Sequence, residues 1–137
     1  FANSEDGLSF HRSLFSDVLA IARKFDFVVA YKQKRADSRL DRVYLKLCEE
    51  FCDNDDVFFV DPEVSAYRLV DSSRFAVVQP FSSVGLYDSK KADICFYDPL
   101  RVLSDGHPSA LGGNFCIGSE NLNSWFDARF REWEKTH

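Results

Sequence analysis

The chain has 137 residues, 45% of them hydrophobic and 28% charged, with a formal net charge of −5 at pH 7. Such a composition describes one soluble globular domain, long enough to bury roughly two thirds of the surface that its unfolded form exposes. The acidic balance excludes a generic electrostatic grip on nucleic acid, so any bound anion must be held by a local cluster of cations or by helix N-termini.

In chain order, Phe10, Leu14, Phe15, Val18, Leu19, Ala22 and Phe25 recur at helical spacing behind Ser9 as N-cap, which predicts a first helix over residues 10–25. The uninterrupted apolar run 27–31 predicts a strand. A polar, basic stretch then leads to Val43, Tyr44, Leu47, Cys48 and Phe51 on one face of a second helix, and the run 57–60 is a second strand. Asp61-Pro62-Glu63 has the order of an N-cap, a proline at the first helical position and a first-turn acid, predicting a helix through Ala66, Leu69 and Val70. A strand over 75–79, a short helix over 83–91 and a strand over 94–97 follow. A loop carrying Gly106, His107, Gly112 and Gly113 precedes a last short strand over 115–117. Ser119 then caps a C-terminal helix whose Leu122, Trp125, Phe126, Phe130 and Trp133 form an apolar stripe expected to be core.

No apolar run approaches the roughly 18 residues of a membrane span, and the N-terminus lacks the basic and apolar regions of a secretion signal. A cytoplasmic location is expected. The cysteines suit that compartment: Cys95 and Cys116 lie in strand-like runs, and the spacing of Cys48 and Cys52 matches neither a redox nor a zinc motif. All four are expected to be reduced, those of the second helix facing inward, and no metal site is expected.

Helix and strand alternate throughout, and the strands are continuous apolar runs. This predicts an α/β fold, a Rossmann-like parallel sheet with helices on both faces, in which at least the first four strands share one sheet. The opening Phe1-Ala2-Asn3-Ser4-Glu5-Asp6-Gly7 runs straight into a helix, as if the fold were entered just after its first strand. Residues 1–137 are therefore expected to be one α/β domain of a longer protein, with a first strand upstream.

Open parallel sheets collect ligands at the carboxyl ends of their strands. That rim gathers Asn3 to Gly7, Lys32 to Arg35, Asp61-Pro62, Gln79 to Ser83, and Asp98 to Arg101. Ser82 and Ser83 offer two hydroxyl donors at a helix start, which suits a phosphate, and Lys32, Lys34 and Arg35 supply countercharge. Taken singly, the serine pair reads as a helix cap, the basic run as a solvated face, and Glu5-Asp6-Gly7 as an ordinary turn.

The stretch VDPEVSAYRLVDSSRFAVVQPFSSVGLYDSKKADICFYDP, with YKQKR before it and GSENLNSWF after it, resembles the C-terminal domain of bacterial surface-polysaccharide biosynthesis proteins that carry a Pro-Phe-Thr-Ser type motif. The resemblance covers roughly residues 25 to 130 and rests on Pro80-Phe81-Ser82-Ser83 and Tyr97-Asp98-Pro99. It implies the C-terminal half of a GT-B-like glycosyltransferase. A looser similarity links the chain to bacterial sialyltransferases and the related Kdo transferases, which use CMP-activated acidic sugars. Those carry an acidic-acidic-Gly motif, a His-Pro motif and a Ser-Ser/Thr motif in that order. Here Glu5-Asp6-Gly7 and Ser82-Ser83 match the first and third, while Lys32-Gln33-Lys34-Arg35 stands in place of His-Pro. By this similarity Asp6, beside Glu5, is the general base for an acceptor hydroxyl, and Ser82 and Ser83 bind the nucleotide phosphate.

The resulting expectation is a nucleotide-sugar-binding half of a glycosyltransferase for O-antigen or capsule synthesis, with the donor as its ligand and no further cofactor. The glycan acceptor binds through an N-terminal domain outside this chain, the isolated chain is inactive, and the full-length protein associates peripherally with a membrane. The alternative is a non-catalytic α/β module binding a phosphorylated ligand or a partner protein. A flavodoxin- or receiver-like domain is disfavoured, since no acidic cluster follows a first strand.

Overall fold

A computed structural model of the chain describes residues 5–32, 42–61, 63–80, 82–100 and 114–136. The chain divides into two compact units, Phe1–Ser65 and Ala66–His137.

The first unit contains α1 (Glu5–Lys24), β1 (Val29–Tyr31), α2 (Arg42–Phe51) and β2 (Val57–Phe59). Helical periodicity puts Phe10, Leu14, Phe15, Leu19 and Ala22 on the buried side of α1. The helix stops in a Schellman motif: the Phe27 N–H donates to the Ala22 carbonyl at 2.8 Å and the Asp26 N–H to the Arg23 carbonyl at 3.3 Å. Asp26 takes φ 63°, a left-handed conformation that aspartate tolerates better than most side chains. β1 and β2 pair in parallel, Val29 opposite Val57 and Tyr31 opposite Phe59. Strand alternation turns these four side chains onto one face, where they pack with Phe15, Leu19 and Phe51. Phe15 is the hub, its ring centroid 5.1 Å from Tyr31, 4.6 Å from Phe51 and 6.0 Å from Phe59. Ala30 and Phe58 point the other way, and both are exposed. Two surface ion pairs brace α1, Arg12 with Glu50 of α2, and Arg23 with Asp56 at 2.6 Å.

The second unit contains α3 (Ala66–Asp71), β3 (Phe75–Val78), a 3-10 helix (Ser83–Leu86), β4 (Asp93–Asp98), β5 (Asn114–Ile117) and α4 (Ser119–Thr136). β4 lies in the middle, parallel to both β3 and β5. With a neighbour on each side, it buries Ile94, Cys95, Phe96, Tyr97 and Asp98. On one face α4 packs against the sheet, the Phe126 ring 4.2 Å from Phe75. On the other, Gly85 of the 3-10 helix lies so close to Phe96 that a Cβ built on it would sit 2.2 Å from the ring. Cys95 and Cys116 are buried neighbours on β4 and β5; the hydrogen bond to Cys116, together with burial, pushes the Cys95 thiol up, away from thiolate.

The molecule is therefore mixed α/β with parallel sheets flanked by helices, a Rossmann-like arrangement in which every strand pairing among the described residues is parallel. Several expectations change in detail. Among the described residues β1 and β2 form one ladder and β3, β4 and β5 another, in place of the one shared sheet expected, because apolar alternation predicts parallel pairing without choosing neighbours. α1 starts at Glu5, so Glu5-Asp6-Gly7 forms its first turn and not a preceding loop. Asp61 caps a turn, accepting the Glu63 N–H on its side chain at 2.9 Å, and the helix begins only at Ala66. The cap position of α4 is taken by Gly118 at φ 81°, whose carbonyl accepts the Leu122 N–H, so Ser119 is already helical. Leu122 and Phe126 of the α4 stripe are buried, whereas Trp125, Phe130 and Trp133 are half-buried. All four cysteines are free thiols, but Cys52 is exposed: it follows the last residue of α2, so the helical-face argument does not reach it.

Candidate functional site

The candidate site grows from the end of β3. Pro80, which lacks the N–H that a ladder requires, ends the strand and is buried. Ser82 turns the chain: its N–H donates to the Gln79 carbonyl at 3.3 Å, and at φ −79°, ψ 128° its Oγ accepts the Val84 N–H at 3.3 Å. This is N-cap geometry. Ser83 is exposed, and its Oγ lies 3.4 Å from the Tyr67 hydroxyl. The two serines thus do different work, Ser82 shaping the turn and Ser83 presenting a hydroxyl to solvent.

The helix expected over 83–91 is a 3-10 helix of four residues. Gly85 weakens helical propensity, and the Ser89 hydroxyl takes the N–H groups of Lys91 and Ala92 at 3.3 and 3.1 Å, offering the backbone an alternative to helix. So short a helix carries little dipole. From the turn the chain runs beside α3: Tyr67 meets Ser83, and four residues further along both segments Asp71 meets Tyr87, whose hydroxyl donates at 2.7 Å. The other Asp71 oxygen accepts the Ser89 hydroxyl at 3.0 Å. The bond to Asp71 also raises the Tyr87 pKa above its ordinary value, keeping that hydroxyl a donor.

Because all three strands are parallel, their carboxyl ends form one edge. It carries the Gln79 to Ser83 turn, Asp98 and the start of α4. Asp98, at the end of β4, is fully buried, and its carbonyl accepts the Gly118 N–H at 2.9 Å. A shallow groove of ≈ 320 Å³ lies instead at the amino ends of β4 and β5, lined by Leu86, Tyr87, Ser89, Asp93 and Asn114 among others.

Of the residues singled out in the sequence, Ser82 and Ser83 stand together on the carboxyl edge of the three-stranded sheet. Lys32 directly follows β1, at the carboxyl end of the first unit's sheet, and is half-buried. Glu5 and Asp6 open α1. Lys34, Arg35, Arg101 and the loop with His107 lie outside the described residues. Sequence reasoning passed over Tyr67, since nothing in its spacing brings it to Ser83; Asp98 was signalled only by the Tyr97-Asp98-Pro99 segment.

A family model described as "Polysaccharide biosynthesis PFTS motif protein" matches residues 11–126, a span that holds most of both units and the whole turn. Comparison with curated proteins and with solved structures returned no match.

Proposed function

The chain belongs to the polysaccharide biosynthesis PFTS motif proteins, and from that premise we propose that it binds the nucleotide-sugar donor of a glycosyltransferase in bacterial surface-polysaccharide synthesis. One observation carries the reading: in the segment that resembles the family's Pro-Phe-Thr-Ser motif, with Ser82 where the motif has threonine, Ser82 and Ser83 stand at the carboxyl edge of a parallel sheet and the second serine is exposed. That edge is where open α/β sheets hold phosphorylated ligands. In this reading the Ser83 hydroxyl donates to a donor phosphate, while Ser82 holds the turn and retains its own O–H for the same anion. Asp6, with Glu5 beside it, takes the proton of the acceptor hydroxyl, and the acceptor is bound by another part of the protein.

Isothermal titration of the chain with CMP-, UDP- and GDP-sugars tests the reading. Hydrogen bonds to a charged phosphate contribute about 1.5–3 kcal/mol each and neutral ones about 0.5–1.5, so Ser82→Ala/Ser83→Ala weakens binding roughly tenfold to a thousandfold. Loss of the Ser82 cap costs about 0.5–2 kcal/mol of stability, which leaves the variant foldable for comparison. Asp6→Asn binds donor like the wild type. Equal donor affinity in wild type and double variant would reduce the serines to a capped turn.

A further inference from the structure

We propose that Tyr67 belongs to the same ligand site as Ser83, its hydroxyl and the serine hydroxyl together gripping one phosphate group of the ligand; this deepens the reading above and rests on it. The two oxygens are 3.4 Å apart, long for an O–H···O bond, whose usual length is about 2.7–2.8 Å. Either hydroxyl can be the donor in this long bond, so the proton of the other is left for an acceptor that approaches from solvent, and the weak bond between them is readily exchanged for one to that acceptor. Both residues are exposed, Tyr67 to 42%, which is high for an aromatic side chain.

Tyr67 is nevertheless well placed. Its ring meets the edge of Tyr87 at 4.8 Å, and Tyr87 is anchored in turn through its hydroxyl to Asp71, whose second oxygen is taken by Ser89. Tyr67 and Asp71 are one helical turn apart on α3, and Ser83 and Tyr87 are the same distance apart on the facing segment, so the Asp71 cluster fixes the register that sets Tyr67 beside Ser83. Ordering a side chain before the ligand arrives lowers the entropic cost of binding. The chain carries a net charge of −5, and the 3-10 helix is too short to contribute a strong dipole, so directed hydroxyl donors are the chemistry left at this turn for an anion. The exposed face of the Tyr67 ring also suits stacking on a base or sugar.

Tyr67→Phe isolates the hydroxyl, because it keeps the ring and its contact with Tyr87. Wild type, Tyr67→Phe, Ser83→Ala and the double variant are titrated with CMP-, UDP- and GDP-sugars and with inorganic phosphate, and their melting temperatures are compared. The expected result is a loss of donor affinity of about tenfold in Tyr67→Phe at an unchanged melting temperature, comparable to the loss in Ser83→Ala. Weaker binding in Ser83→Ala with wild-type affinity in Tyr67→Phe overturns this inference and leaves the serine site standing. Absence of binding by every nucleotide sugar, or equal affinity in all four proteins, overturns both.

Discussion

The two ladders are built from similarly apolar strands and bury them to different extents. In the two-stranded sheet, β2 reads Val57-Phe58-Phe59, and Phe58 remains 54% exposed. In the three-stranded sheet, β4 buries all five residues from Ile94 to Asp98, including a carboxylate. The difference comes from neighbours. β4 has a strand on either side, α4 against one face and the 3-10 helix against the other, whereas the face of β1 and β2 that holds Ala30 and Phe58 is solvated among the described residues. Burial thus follows the number of covered faces more than the apolarity of the strand.

The comparison can be broken most directly by truncating a phenylalanine in each sheet. Phe96→Ala should cost about 3–5 kcal/mol in denaturant unfolding, as expected for a fully buried ring. Phe58→Ser should stay within about 0.5 kcal/mol, the range of surface changes. Equal costs would mean that the two faces are covered alike in solution.

Next in size is the contact that seats the serine turn on the sheet. Gly85→Ala drives a methyl into Phe96 and should destabilise by about 1–3 kcal/mol. Combining it with Phe96→Leu, which makes room, should give a total cost below the sum of the two single changes. Strict additivity would show that the 3-10 helix does not rest on Phe96.

In the first unit the helix end offers a smaller test with the opposite sign. Asp26→Gly relieves the left-handed backbone at φ 63° and should raise stability by up to about 1 kcal/mol, read as a higher melting temperature. A loss would indicate that the Asp26 carboxylate makes a contact worth more than the strain.

The smallest expected effect is electrostatic. The hydrogen bond from Arg23 holds the Asp56 carboxylate below its ordinary pKa. A carboxylate depressed in the folded state stabilises the fold above the unfolded value, near 4, and that contribution disappears as pH falls through the lower folded value. Asp56→Asn should therefore flatten the acid limb of the stability profile. Both partners are solvent-accessible, so added salt should shrink the difference between the two proteins. An unchanged acid limb would mean that the pair does not form in solution.

The alternation of helix and strand, the parallel pairing and the inward face of α1 were legible in the sequence, because each depends on residue periodicity within one segment. Ser82 was legible as a cap for the same reason, since its partner, the Val84 N–H, is two residues away. The following helix is shorter than the sequence predicts, four residues in place of 83–91, because the Ser89 hydroxyl takes the backbone N–H groups of Lys91 and Ala92. Sequence determined that Ser82 and Ser83 follow an apolar strand and a proline, hence that they sit at a carboxyl edge. Only the tertiary structure decided that Ser83 faces solvent while Ser82 is occupied within the turn. Tyr67 reaches Ser83 across sixteen residues, and β4, rather than the wholly apolar β2, is covered on both sides, by contacts that only the tertiary structure sets. These are contacts between segments distant in sequence, set by which strands become neighbours and by how closely a residue without a side chain, Gly85, lets the chain approach Phe96.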